Sequence, residues 1–216
     1  MRTAPIALLL ILVAAPAALA QTGKRVAIGG AIGLTRYADD DFGFGSKDPS
    51  FSLAYRVRMN PAARSGWAWA PKSSFGLTKR DASSDIGGTR THLGQLQTIQ
   101  VMGGVQRVMH QGPWQVGLGV AAGPSINDFS VDAGARDAYQ SRLGTDLGDV
   151  NVKNSIAVKP EFSAWYDLSR MLGVQGSLSY LFNRPKVETT SGGVTTTSTW
   201  KTDRASAKLG LVVGIF

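Results

Sequence analysis

The sequence predicts an all-β protein: an eight-stranded antiparallel up-and-down β-barrel set across a membrane, preceded by a cleaved signal peptide. Three observations carry this reading. The chain opens on an apolar leader, eight later segments carry an apolar residue at every second position, and the connections between them alternate short and long.

Residues 1–20, MRTAPIALLLILVAAPAALA, set Arg2 before an apolar run and end on Ala18-Leu19-Ala20. The run is too short to span a bilayer, and its layout is that of a secretory signal peptide rather than an anchor. The expected units are therefore 1–20, the leader, and 21–216, one barrel domain. The absence of cysteine excludes a disulfide-stapled scaffold. The chain is basic, with 23 Lys and Arg against 15 Asp and Glu. Such a balance ordinarily raises nucleic acid as a partner, but an exported chain meets anionic lipid head groups instead. After the leader no apolar run reaches the ~18 residues of a spanning helix, whereas a spanning strand needs only about 9–11 residues with alternate ones apolar.

The alternation is read in chain order. In 25–35, Val26, Ile28, Ile32 and Leu34 share one face and Ala27, Gly29, Ala31, Gly33 and Thr35 the other. In 51–59, Phe51, Leu53, Tyr55 and Val57 oppose Ser52, Ala54, Arg56 and Arg58. Segment 67–77 sets Trp67, Trp69, Phe75 and Leu77 against Lys72, Ser74 and Gly76; segment 97–109 sets Ile99, Val101 and Val105 against Thr98, Gln100 and Gln106. Segment 114–122 alternates Trp, Val, Leu, Val, Ala with Gln, Gly, Gly, Ala. In 152–166, Ile156, Val158, Phe162 and Tyr166 oppose Lys153, Ser155, Lys159, Glu161 and Ser163. Segments 172–182 and 207–215 close the set, the last with Leu209, Leu211, Val213 and Ile215 against Lys208, Gly210, Val212 and Gly214.

Short connections fall at 60–66, 110–113 and 167–171, and long ones at 37–50, 80–93, 127–151 and 183–203. Short turns at one end and long polar loops at the other are the layout of a membrane barrel. Residues 127–151 are open at this level to a short helix, an extra hairpin or no regular structure. In SGGVTTTSTW, Gly192-Gly193 reads as a two-residue hairpin turn, which predicts a Thr-rich ribbon above the membrane with edges suited to pairing.

A soluble barrel keeps its apolar rows inside, and a membrane barrel turns them outward. The aromatic residues decide between the two. Trp67, Trp114, Trp165 and Tyr166 fall beside short turns, and Tyr37, Phe51, Phe129, Phe182 and Trp200 near long loops. Two bands at opposite strand ends match the two bilayer interfaces. The polar rows then face the lumen, where Glu161, Arg56, Arg58, Lys72, Lys159 and Lys208 form an interior network, with Glu161 expected to pair with Arg56, Arg58 or Lys208.

With the leader, the eight strands, YDLSRMLGVQGSLSYLFNRP near the end and the terminal Phe216, the whole mature chain resembles the eight-stranded bacterial outer-membrane barrels of the OmpA/OmpX type. The resemblance implies the bacterial outer membrane, contact with its lipid and lipopolysaccharide, a monomer, and a C-terminal aromatic strand ending at Phe216 that the barrel-assembly machinery reads. The chain departs from that pattern in one respect: Phe216 shares parity with Gly214 and Gly210, not with Ile215, Val213 and Leu211.

Other features carry less. Asp39-Asp40-Asp41 reads as a solvated loop tip rather than a cation site. His92 and His110 belong to no catalytic motif, and GLGVAAG lacks the Lys-Ser/Thr of a phosphate loop. The expected protein is not an enzyme and needs no cofactor or metal. It has a side-chain-filled barrel with a structural or surface-exposed role in adhesion or envelope integrity, its loops (Lys79 and Arg80 among them) meeting lipopolysaccharide, a host or an envelope surface. A narrow, weakly anion-preferring solute channel is the alternative, and a lipid A-modifying enzyme a distant third.

Overall fold

The computed structural model describes residues 25–37, 47–58, 66–169 and 172–215; Asp39–Asp41 and Phe216 lie outside them, as do the side chains of 25–28, 47–58, Ala68, His110 and Ile215. In chain order the elements are β1 (Arg25–Tyr37), β2 (Lys47–Arg58), β3 (Gly66–Ile86), β4 (Thr89–Gln111), β5 (Trp114–Val131), α1 (Ala133–Leu143), β6 (Leu147–Val152), β7 (Ser155–Asp167), β8 (Leu172–Leu181), β9 (Lys186–Ser191), β10 (Val194–Thr199) and β11 (Arg204–Ile215).

Eight of the strands close a barrel in the order β1-β2-β3-β4-β5-β7-β8-β11, each paired antiparallel with its neighbours. The seam joins the first strand to the last, from Val26↔Ile215 to Tyr37↔Arg204. Closure leaves no row of unpaired backbone groups facing hydrocarbon, the condition a spanning sheet must meet. Two ladders are interrupted at a proline, which lacks an N–H: β4–β5 skips from Gln100↔Ser125 to Gly103↔Ala122 past Pro124, and β7–β8 ends at Glu161↔Ser179 before a single bridge at Val158↔Phe182, with Pro160 where β7 would meet Tyr180.

The alternation sorts the two faces as a membrane requires. Ile32 is 70% exposed and Leu209 63%, with Leu34, Leu118, Phe162, Leu178 and Leu211 also on the outer wall. Ala31, Thr35, Lys72, Ser74, Gln100 and Ser163 are buried on the inner one. An apolar wall of this extent is stable only against lipid. Leu209, near the middle of β11 and paired with Ile32, therefore gives a direct test. Leu209→Arg is expected to cost about 2–4 kcal/mol in urea unfolding from phospholipid vesicles. Leu143→Arg, at an exposed position on α1, is expected to change stability by under about 0.5 kcal/mol.

The outer end differs from the sequence reading. The expected loop at 80–93 is instead the continuation of β3 and β4 into one long hairpin, paired out to Ile86↔Thr89. Gly87 and Gly88 turn it with φ of 61° and 79°, the same device as Gly192-Gly193 at 57° and 78°. Residues 127–151 are neither loop nor hairpin but the end of β5, then α1, then β6. Asp132 caps α1 by accepting from the Gly134 N–H, and Arg142 in its last turn donates to the Ile86 carbonyl and to Thr91 Oγ1, which ties the helix to the hairpin tip. The Thr-rich ribbon forms, but it does not prolong the barrel strands. It joins β6 in a separate three-stranded sheet, β10-β9-β6.

Candidate functional site

The lumen and the structured outer end are where the chain places its polar chemistry. The lumen is a column of layers. At its inner end Trp165 is buried against Val212, and a Cβ on Gly173 would run into its indole nitrogen. Above it Glu161 pairs with Lys72, reaching over from β3, and with Lys159 at 3.2 Å on its own strand. Lys159 also donates to Ser74 Oγ at 2.9 Å. In the next layer Arg204 donates to Tyr37 OH at 3.1 Å, Thr78 Oγ1 at 2.9 Å and Gln100 Oε1 at 2.6 Å. The Arg80 guanidinium lies 3.5 Å over the Tyr37 ring.

A polar knot closes the mouth. Asn183 is buried; its N–H donates to Asp203 Oδ1 at 2.8 Å, and its amide bonds Thr202, Ser125 and Ser155. Four segments that leave the barrel at different points are thus tied at one side chain. Over the knot sits an apolar cap in which Leu96, Val152, Val187 and Trp200 are buried together, with Phe129 edge-on to Trp200 at 5.5 Å. Among the described residues the cavity enclosed in the lumen measures about 20 Å³.

Lys72, Lys159 and Glu161 are brought together. Of the partners expected for Glu161, Lys208 makes no ion pair among the described residues, while Arg56 and Arg58 have side chains outside them. Lys159 is the next inward position on β7, and Lys72 reaches Glu161 across the lumen from β3. Among the aromatics, Trp67 and Trp114 are exposed on the outer wall at the short-turn end, with Tyr166 packed on Trp114 at 4.8 Å. Phe182 is exposed at the other end beside Tyr180, 4.7 Å away. Phe51 lies on β2, whose side chains fall outside the described residues.

Tyr37 is a correction. It is 7% exposed and faces the lumen, not the bilayer interface. It shares parity with Ala31 and Thr35, so position along β1 put it at the right depth and on the wrong side. Trp165 and Trp200 are corrected in the same way, one inside the barrel and one in the cap. Arg80 is buried as well, which removes it from the loop residues available to lipopolysaccharide. The sequence reading placed Gln100 only in the polar row of its strand, and it singled out neither Arg204 nor Asn183. Arg204 and Gln100 carry the inward parity of their strands, but Asn183 lies in a connection, where period 2 says nothing.

No family model and no curated protein matches the chain. Solved structures do. It aligns with outer membrane protein AlkL, seen by solid-state NMR in DMPC bilayers, at 16% identity and a TM-score of 0.50, covering 89% of this chain and 90% of that one. E. coli Outer Membrane Protein W aligns at 9% identity and a TM-score of 0.50, covering 89% and 98%. Ail, the attachment invasion locus protein of Yersinia pestis, aligns at 14% identity and a TM-score of 0.47, covering 89% and 97%. At these identities the likeness is one of fold. By the fold shared with the first two and by the apolar outer wall that demands lipid, the chain is an eight-stranded transmembrane β-barrel.

Proposed function

We propose that this barrel is a structural, surface-presenting protein whose lumen is a plug and whose outer sheet docks another surface, in adhesion or envelope integrity. The observation that carries the reading is β10. All six of its residues, VTTTST, are exposed, and among the described residues it is the edge of its sheet, with β9 on one side only. Natural edge strands are usually blunted by lysine, proline or a bulge, and β10 has none of these. Its unpaired N–H and C=O row suits strand addition by a partner. The ion pairs and hydrogen bonds that cross the lumen support the same division of labour, with an enclosed cavity of about 20 Å³ among the described residues. The chemistry is recognition rather than catalysis, and the lipid and lipopolysaccharide around the wall are its solvent.

Two measurements test this. Planar-bilayer recordings of the refolded barrel are expected to be silent; discrete steps that change in Glu161→Gln would mean that the lumen conducts, the anion-preferring channel reading. Cells displaying the barrel are expected to adhere to one another or to a surface more than cells displaying Thr197→Pro, which breaks the β10 edge and leaves the wall intact. Equal adhesion by both would remove β10 from the proposal.

A further inference from the structure

We propose that the lumen holds one buried monovalent anion of halide size, chloride in ordinary saline, in the cavity between β3, β4, β7 and β11. Four cations occupy this stretch of the lumen, Lys72, Lys159, Lys208 and Arg204, and Glu161 is the carboxylate among the described residues that faces them. It is already shared by Lys72 and Lys159. Lys208 and Arg204 have no carboxylate within ion-pair distance among the described residues, although both line the cavity. Arg204 is buried and Lys208 half-buried, and cations so enclosed without an opposite charge are costly, so the column as described is short of negative charge.

The remaining wall chemistry points the same way. Gln100 is 5% exposed and lines the cavity. Its Oε1 accepts from Arg204 Nη2 at 2.6 Å, which fixes the amide orientation, because the reverse would set one N–H against another. That leaves Nε2 as a buried donor with no hydrogen-bond partner. Ser74 Oγ accepts from Lys159 at 2.9 Å, and its own O–H remains to donate. Beside the hydroxyls of Thr35, Thr78, Ser179 and Ser206, the lining supplies an unpartnered amide N–H and the cationic side chains of Lys159, Arg204 and Lys208, and an anion is the guest that answers this excess of donors and positive charge. The volume, about 20 Å³, takes one water-sized body and excludes sulfate or phosphate.

Two readouts decide it. Crystals of the refolded barrel grown in bromide are expected to show a single anomalous peak in the lumen, beside Lys208 Nζ and Gln100 Nε2. A water or a carboxylate oxygen of the chain in that place, with no peak, overturns the proposal. In solution, chloride replaces gluconate at constant ionic strength while unfolding is followed. The folding equilibrium constant is expected to rise roughly tenfold at ten times the dissociation constant. Lys208→Met and, as a second variant in case the first fails to fold, Gln100→Leu are expected to flatten that response. In gluconate Lys208→Met is expected to be more stable than the parent, because it removes an uncompensated charge; an unchanged chloride response in both variants overturns the site.

Discussion

Glu161→Ala is expected to destabilise the barrel by about 3–5 kcal/mol, the cost of removing one partner from a buried ion pair. The Lys72 and Glu161 side chains are 8% and 14% exposed, and Lys159 is comparably enclosed, so water does little to screen what the substitution leaves behind. The loss comes from two stranded ammonium groups more than from the missing attraction. That distinction has its own test. Adding Lys72→Met to Glu161→Ala is expected to recover a large part of the stability, since it takes away one stranded charge and puts an apolar chain of similar length in its place. Urea unfolding of refolded protein in vesicles measures both. A single-variant loss under about 1 kcal/mol would mean that the lumen is wetter than its packing indicates.

Trp200→Ala is expected to act on the other half of the molecule. Trp200 is 4% exposed among Leu96, Val152, Val187 and Phe129, and emptying such a site costs about 3–5 kcal/mol. The barrel ladders do not depend on it, whereas β6, β9 and β10 have little other apolar support. The loss should therefore appear as local opening. Protease cleavage within 186–199 is expected to accelerate about a hundredfold or more, while the unfolding of the wall stays near its parent value. If wall and cap instead lose stability together, they fold as one unit, and the Asn183 knot couples them more tightly than the division into wall and cap implies.

Period 2 reads the wall well because the bilayer enforces it. A strand with lipid on one side and packed side chains on the other tolerates no exchange of faces, so Ile32, Leu34, Leu209 and Leu211 declare their side from sequence. The same rule, applied strictly, places Tyr37 with Thr35 and Trp165 with Glu161. Both were drawn outward by the expectation that aromatic residues near strand ends belong to the interface. Ion partners were less legible, since which lysine reaches Glu161 depends on how side chains cross the lumen, which alternation does not encode. The outer end was the least legible. Its strands pair with elements distant in sequence, as β6 does with β9 at Val152↔Val187, and only the Gly-Gly turn leaves a local mark.

The seam between β1 and β11 sets the order of events in assembly. Val26 must find Ile215, and eleven further pairs between Ala27↔Gly214 and Tyr37↔Arg204 must form with it, before the wall is continuous. These partners lie nearly the full chain apart, so β1 emerges early in synthesis and waits for almost everything else. Throughout that interval its edge and the growing edge of the sheet carry unsatisfied backbone groups beside strongly apolar side chains, the combination most prone to aggregation. Non-local closure is also slow in its own right, because the entropy of joining distant segments is lost before the contacts repay it. The rate of making this protein should therefore be governed by the joining of its ends, and a substitution in the seam such as Gly210→Val, where a Cβ would meet the backbone of Gly30 and Ala31, should slow insertion more than its effect on final stability suggests.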